Sequence, residues 1–343
     1  MKFLMIHFSD THFREGKSSN PVLPRTEQIA AASGSLLVKP SACFLVVSGD
    51  IAFSGRAEEY VIAEQFLTDL SEKLKDRFKL PNIHMVIVPG NHDCDFTNQT
   101  KIREIVLQDV SQRQFDSSVI ETCIQVQSNF WRFVESILKN DQFTTPEAKA
   151  FACFPIETDG VVVQFNLFNT ALLSRVDERQ GGLLFPLNVI PTTALNQNPP
   201  QVVVSVLHHP YNWFDPSNAR DLRRQLESSS DIILTGHEHE SDSFAVIRGP
   251  REEVEYIEGA ILQEYRGSQE SGFNIALIDV EECTQRIHHF SWTDKVRYEE
   301  EVSPTDRLLS EFLSCRYDST VPRTSSASQS SPCCISFASV PAA

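Results

Sequence analysis

The residues that could do chemistry in this chain lie at the ends of five short apolar runs. Asp10 and His12 follow the run at 3–8, and Asp50 follows the run at 44–47. The other sets are Asn91, His92 and Asp93 after 83–88, His208 and His209 after 202–207, and His237 and His239 after 232–234. Carboxylates, amides and imidazoles are common ligands of divalent transition metals in proteins. Each set is weak evidence alone, but together they indicate a metal site.

The apolar runs have the length of buried β-strands, and segments with helical spacing separate them. The clearest helix is predicted over 57–78. Its apolar positions fall on one face, and they are Ala63, Phe66, Leu67, Leu70 and Leu74. Strands that alternate with helices predict a layered α/β sheet, in which the carboxyl ends of the strands face one crevice. Side chains that are far apart in sequence would meet there.

The second half of the chain is richer in strands. Asp159 and Gly160 separate the apolar runs 152–156 and 161–168, which is the pattern of a β-hairpin. Further strands are predicted near 202–207, 232–234, 244–247, 254–257 and 273–279. Two sheets packed face to face fit this number of strands better than one doubly wound sheet. We therefore predict an α/β fold of four layers, an α/β/β/α sandwich of two packed mixed sheets with helices outside.

The predicted domain covers residues 1–302 and contains a helical insertion at about 95–150. The insertion could lie over the crevice and shape substrate access, or it could only pack on one sheet edge. Residues 303–343 form a tail that is dense in Ser, Pro, Thr and Ala towards its end. Such a composition buries too little apolar surface to offset the entropy of ordering, so we expect the tail to be largely disordered.

Composition limits the class of protein. A net charge of −16 and a pI near 5.1 argue against a surface that tracks nucleic acid, although bound cations could make one crevice positive. The first apolar run is too short for a signal peptide, and no run reaches the roughly 18 apolar residues of a membrane span. The eight cysteines form no C-x-x-C pair, which suits reduced thiols. We expect a cytoplasmic enzyme with no membrane association.

The five sets resemble the motifs of calcineurin-like metallophosphoesterases, which are D-x-H, G-D, G-N-H-[DE], H and G-H-x-H in that order. All five are intact here, and the similarity extends over about residues 1–280. The resemblance implies two divalent metal ions, and it leaves the metal open among Mn, Fe, Zn, Co and Ni. It implies that Asp10, His12 and His239 hold the first ion, that Asn91, His208 and His237 hold the second, and that Asp50 bridges them.

Two ions about 3.5–4 Å apart lower the pKa of a water between them, and the resulting hydroxide attacks phosphorus in line. We expect His92 to stabilise the transition state or to protonate the leaving oxygen. Asp93 is expected to orient His92 by accepting its other N–H, and a capping role for Asp93 is the alternative. His208 is preferred to His209 as the ligand, because the first His of such a segment binds metal in the family. Asn169 resembles a position that lines the family's crevice.

The expected function is hydrolysis of a phosphoester, with a phosphodiester of a nucleotide or other small molecule as the substrate. Alternatives on the same centre are a nuclease and a phosphatase of proteins or phosphomonoesters. A scaffold that retains the fold without catalysis is an alternative of another class, and intact ligand positions argue against it. Nucleic acid is not the favoured substrate. The sequence leaves the oligomeric state open.

Overall fold

A computed structural model describes residues 1–108, 115–139, 142–191, 200–239, 242–249, 252–263, 270–301 and 307–308. The predicted tail at 303–343 lies outside the described residues, apart from 307–308. The strands are, in chain order, β1 (Lys2–Phe8), β2 (Ala42–Ser48), β3 (His84–Val88), β4 (Phe151–Thr158), β5 (Val161–Phe168), β6 (Val202–Leu207), β7 (Ile232–Thr235), β8 (Ser243–Gly249), β9 (Glu252–Glu258), β10 (Gly272–Asp279), β11 (Thr284–Thr293), β12 (Arg297–Glu300) and β13 (Arg307–Leu308). The helices are α1 (Thr26–Gly34), α2 (Ala57–Phe78), α3 (Lys101–Gln108), α4 (Ser117–Ile124), α5 (Ser128–Leu138), α6 (Pro146–Ala150) and α7 (Pro216–Ser229).

The strands form two mixed sheets. The first has the order β12-β11-β10-β1-β2-β3, with β13 paired to β11, and its strands β1, β2 and β3 are parallel. The second has the order β4-β5-β6-β7-β9-β8, and its strands β5, β6, β7 and β9 are parallel. Each sheet therefore presents the carboxyl ends of several parallel strands at one edge.

The two sheets pack against each other through buried aromatic and aliphatic side chains. Phe44 of β2 and Phe165 of β5 lie with their ring centroids 5.2 Å apart. In β7 the side chains alternate, so that Ile232 and Leu234 enter the core between the sheets. Ile233 instead packs with Leu222 and Leu226 of α7 in a separate apolar cluster. The predicted α/β fold of two packed mixed sheets with helices outside is confirmed.

Helix α2 shows why these residues form the elements that they do. Its apolar stripe is buried, as the spacing of its residues predicts. The side chain of Glu59 accepts hydrogen bonds from the backbone N–H groups of Ser54 and Arg56, and it thereby satisfies donors at the start of the helix. Lys79 ends the helix in the left-handed conformation.

The structure differs from the sequence pattern at one helix end and at two strands. Residues 25–38 have the composition of a helix, but α1 ends at Gly34, and Leu37 beyond it adopts a positive φ of 53° that a helix does not allow. Strands β11 and β12 were not predicted, although β11 is one of the longer strands. None of the helices in the described ranges is long and apolar enough to span a bilayer.

Candidate metal centre

The carboxyl ends of strands from both sheets converge on Asp50 and His208. Nε2 of His208 lies 3.3 Å from Oδ2 of Asp50, 3.2 Å from Oδ1 of Asn91 and 3.2 Å from Nδ1 of His237. Asp50 follows β2 of the first sheet, and His208 follows β6 of the second. The site is therefore built across the two sheets.

A second group of ligand atoms adjoins the first. Nε2 of His239 lies 3.2 Å from Oδ1 of Asp10, and Nε2 of His12 lies 4.0 Å from the same oxygen. Nε2 of His12 is also 3.5 Å from Oδ2 of Asp50, the atom that faces His208. Asp10, His12 and His239 offer ligand atoms within 4.8 Å of one another, and so do Asp10, Asp50 and His208. One carboxylate oxygen thus joins the two groups.

The hydrogen bonds at the site fit a bound cation. Nδ1 of His208 donates to the carbonyl of Ser48 at 2.8 Å, so a neutral imidazole has its lone pair on Nε2, which faces Asp50. Oδ1 of Asp10 is buried and receives no hydrogen bond with acceptable geometry. Several lone pairs that face one another in a buried space are unfavourable unless a positive charge lies between them. This donor set suits transition metals.

Five of the predicted ligands have a left-handed backbone, which non-glycine residues adopt at a cost. They are Asp10, His12, Asp50, His237 and His239, with φ between 42° and 76°. Hydrogen bonds between the loops hold this conformation, since the N–H of Asp10 donates to the carbonyl of Gly49 at 3.2 Å and that of His12 to the carbonyl of Asp50 at 2.9 Å. Strained backbone of this kind concentrates at functional sites.

Glycine is required beside the ligands because the loops approach closely. A Cβ atom at Gly90 would lie 2.2 Å from Oδ1 of Asp50. A Cβ atom at Gly236 would lie 1.9 Å from Oγ of Ser9. The glycines that precede Asn91 and His237 in the sequence motifs therefore make room for side chains of the first sheet.

The site without metal holds groups of mixed charge, since the carboxylate of Asp50 overcomes burial and raises the pKa of His208 to about 9. Burial acts to raise the pKa of Asp50, but the positive charge that the rings of His208 and His92 carry when protonated outweighs it and holds that pKa well below its usual range. Burial and the neighbouring His209 and His208 lower the pKa of His237 to about 2. Asp50 is therefore a carboxylate and His237 a neutral imidazole at physiological pH.

His92 lies at the mouth of this group and is partly exposed. Its backbone N–H donates to Oδ1 of Asp50 at 2.8 Å, and its Nδ1 donates to the carbonyl of Phe53 at 2.7 Å. The ring lies edge-to-face with that of His12, with the centroids 4.8 Å apart. The Phe53 carbonyl therefore orients the imidazole of His92 and directs its Nε2 away from that loop.

The carboxylate of Asp93 was expected to accept a hydrogen bond from His92, but its contacts in the structure are with other groups. The carboxylate is buried, and it accepts from the N–H groups of Ile51 and Ala52 and from that of Gly90, at 2.9–3.2 Å. The hydroxyl of Tyr60 donates to it at 2.9 Å. The carboxylate joins the loop after β2 to the loop after β3, because backbone donors surround it. These contacts favour the capping alternative for Asp93 over the expected contact with His92.

His209 and Asn169 are both buried beside the site. Both ring nitrogens of His209 face other side chains, Thr170 Oγ1 at 3.1 Å and Glu178 Oε2 at 3.2 Å, whereas Nε2 of His208 faces Asp50. The amide of Asn169 exchanges hydrogen bonds with that of Gln127 at 2.7 and 3.1 Å. This geometry favours His208 over His209 as the ligand, and it places the Asn169 amide against the helical segment instead of in the crevice.

Three residues that adjoin the site were missed by sequence reasoning. Thr170 and Glu178 lie on the loop after β5, and Trp213 follows the His208 loop. Trp213 packs on the ring of His237 with the centroids 4.1 Å apart. Only the nearness of Trp213 to His208 in sequence was a usable signal, since nothing in the spacing of Thr170 or Glu178 points to the site.

Comparison with known proteins gives a family-level match. A sequence model described as calcineurin-like phosphoesterase matches residues 3–241. A glycerophosphodiester phosphodiesterase, GpdQ, from Enterobacter lignolyticus is 36% identical over 94 residues, which cover 26% of this chain and 29% of that protein. The match thus spans less than a third of that relative's length.

Two solved structures are also similar to this chain. Vps29 from Entamoeba histolytica, crystallised with Zn²⁺, has a TM-score of 0.35 and 10% identity over 88% of this chain and 98% of its own. The NAD nucleotidase NadN from Haemophilus influenzae has a TM-score of 0.37 and 11% identity over 90% of this chain and 56% of its own.

Proposed function

Because this chain belongs to the calcineurin-like phosphoesterase family, we propose that it is a metal-dependent hydrolase of phosphodiesters with a binuclear centre. The observation that carries the proposal is the position of Asp50. Its Oδ2 lies within 3.5 Å of an imidazole nitrogen from each of two ligand groups, those of His12 and His208. A carboxylate in that position can serve two cations at once.

The proposed first ion is held by Asp10, His12 and His239, and the second by Asn91, His208 and His237. Each group combines imidazole nitrogen with one oxygen ligand, and Asp50 is shared. Two protein carboxylates against two divalent cations leave a net positive charge. The centre would therefore attract a phosphate anion even though the chain as a whole carries a net charge of −16.

When bound, two divalent cations would supply an activated water and neutralise charge at the phosphoryl group. The chain's own residues supply position and a proton. Asp50 accepts the backbone N–H of His92 at 2.8 Å, so the segment that presents Asn91 also presents the imidazole of His92. With its Nδ1 held by Phe53, His92 offers Nε2 for protonating the leaving oxygen. The carboxylate of Asp93 holds the loop after β2 against the loop after β3, because it accepts backbone N–H groups from both.

The proposed substrate is a small phosphodiester, such as a nucleotide or the diester of a small alcohol. The partial similarity to a glycerophosphodiester phosphodiesterase supports a diester. The acidic balance of the chain disfavours long polyanions such as nucleic acid, since these would be repelled outside the centre. A small diester presents one negative charge, which the positive centre can neutralise.

Rates on an aryl diester and an aryl monoester test the proposal. Protein stripped of metal and reloaded with Mn²⁺ should hydrolyse bis(p-nitrophenyl) phosphate with a higher kcat/KM than p-nitrophenyl phosphate. Asp50→Asn should lower kcat/KM by at least about 100-fold. Replacing a residue that only supports a metal ligand commonly costs about 10- to 100-fold, so a loss of this size indicates a ligand. Asp69→Asn is the matched control, because Asp69 is a carboxylate on α2 that binds Lys73 and Thr26.

The other outcomes are distinct. A higher kcat/KM on the monoester would indicate a phosphatase. Protein that binds two ions and hydrolyses neither compound nor any nucleotide diester would contradict the proposed activity and favour a non-catalytic scaffold.

A further inference from the structure

Glu178 is a buried carboxylate near the centre that belongs to neither proposed ligand group. Its side chain is 7% exposed, and its Oε2 lies 3.2 Å from Nε2 of the fully buried His209. Its Oε1 accepts the backbone N–H of Arg175 at 3.2 Å. A buried carboxylate is costly unless its oxygens are hydrogen-bonded, so these contacts determine where Glu178 lies. The contact with His209 is the one that leads towards the metal centre.

Thr170 determines which nitrogen of His209 carries the proton. Its Oγ1 accepts the backbone N–H of His208 at 3.2 Å and that of His209 at 3.1 Å. With both lone pairs used, the hydroxyl has its proton left to donate to Nδ1 of His209, which lies 3.1 Å away. Nε2 of His209 then carries the hydrogen and donates to Glu178. The imidazole of His209 is thus fixed from both sides.

The ring of His209 lies against the imidazole of His237. The two centroids are 4.6 Å apart, and the ring of Trp213 approaches His237 from another direction at 4.1 Å. His209 also lies edge-to-face with His208 at 4.8 Å. The rotation of the His237 ring therefore depends on the position of His209.

Helices α3 and α4 hold the loop that carries Thr170 and Glu178. Arg103 of α3 is fully buried, and its guanidinium donates to the carbonyls of Leu172 at 3.4 Å and Ser174 at 2.8 Å. Its Nε donates to the carbonyl of Cys123 in α4 at 3.0 Å. One side chain therefore ties α3 and α4 to the loop beside His209.

We propose that Glu178 and His209 form a positioning pair that holds His237 in its ligand geometry. This inference rests on the proposed function, since it takes His237 as a ligand of that ion. Residues that support a metal ligand in this way commonly change metal affinity by about 10- to 100-fold when they are replaced. The first ion, which is proposed to bind Asp10, His12 and His239, touches neither member of the pair.

Calorimetric titration of the metal-free protein with Mn²⁺ tests the pair without using activity. The wild-type chain should bind two ions. Glu178→Ala and His209→Gln should weaken one binding event by about 10- to 100-fold and leave the other unchanged. Glu178→Gln should weaken the same event less than Glu178→Ala, because its carbonyl can still accept one hydrogen bond. Glu255→Gln is the matched control, since Glu255 is a buried carboxylate in the middle of β9, opposite Ile232 at the amino end of β7 and so away from the crevice.

The outcomes separate this inference from the proposed function. Wild-type affinity for both ions in Glu178→Ala and His209→Gln would overturn the positioning pair. An equal loss for both ions would also overturn it, since that result indicates a general structural role. If Glu178→Ala does not fold, as judged by its thermal unfolding without metal, Glu178→Gln and His209→Gln decide the question. A wild-type chain that binds fewer than two ions would contradict the proposed binuclear centre itself.

Discussion

Asp50 and His208 belong to different sheets, and their side chains meet with Oδ2 and Nε2 3.3 Å apart. Asp50 follows the parallel strands of the first sheet, and His208 follows those of the second. At this edge the two sheets contact each other through polar side chains. A cation bound there would be coordinated by residues of both sheets, so metal binding should be linked to the stability of the whole domain.

Metal ions should therefore raise the melting temperature of the stripped protein. A ligand present at 100 times its Kd stabilises the folded state by about 2.7 kcal/mol, which corresponds to a shift of several degrees for a domain of this size. Differential scanning calorimetry with and without Mn²⁺ measures the shift. Asp50→Asn should lose most of it, whereas Asp69→Asn should retain it. An unchanged melting temperature at saturating Mn²⁺ would contradict a centre shared by the sheets.

His92 should act on the leaving group. His92→Ala removes the proton donor but leaves the proposed ligands in place, so kcat should fall by about 100- to 10,000-fold while metal content stays the same. The loss should be larger for diphenyl phosphate than for bis(p-nitrophenyl) phosphate, because phenolate is the poorer leaving group and needs the proton more. Equal losses on the two diesters would show that His92 stabilises charge without donating a proton.

The convergence of the proposed ligands could be predicted from sequence, because each of these side chains follows an apolar strand. The apolar runs at 44–47 and 202–207, which precede Asp50 and His208, contain no charged residue and only one small polar residue, Ser205. Parallel strands place their carboxyl ends at one edge of a sheet. Strand β11 could not be predicted in the same way, since polar and charged residues such as Arg286 and His289 interrupt its apolar pattern. Its pairing with β10 and β12 determines its conformation instead.

The supporting residues were hidden for a different reason. Asp93 was expected to orient His92, but its partners include backbone N–H groups of another loop, which side-chain types do not reveal. Glu178 contacts His209 across a loop that has no regular period. Contacts of this kind depend on loop geometry, which the spacing of residue types in a single sequence does not reveal.

The hydrogen bond between Tyr60 and Asp93 should contribute to stability more than to chemistry. Tyr60→Phe removes one donor and should lower the free energy of unfolding by about 0.5–1.5 kcal/mol, measured by urea denaturation of the metal-free protein. Asp93→Ala should cost more, since it leaves several buried backbone N–H groups without an acceptor at about 1–3 kcal/mol each. If Tyr60→Phe lowered kcat by 100-fold with unchanged stability, Asp93 would have a direct catalytic role after all.

Gly90 should be essential for the position of the Asp50 carboxylate. Its φ is negative, so Gly90→Ala introduces no left-handed strain, and its effect comes from the added methyl group. That group would lie 2.2 Å from Oδ1 of Asp50, which must then move. We expect weaker binding of both ions, because Asp50 is proposed to bridge them, and calorimetric titration with Mn²⁺ measures it.

Gly160→Ala is the control for Gly90→Ala. Gly160 lies in the β4–β5 turn with a φ of +80° and nothing within 4 Å of an added Cβ. It should cost about 1 kcal/mol of stability through backbone strain and leave both metal affinities unchanged. Wild-type affinity for both ions in Gly90→Ala would mean that the Asp50 carboxylate can shift without loss, and it would then not be the shared ligand.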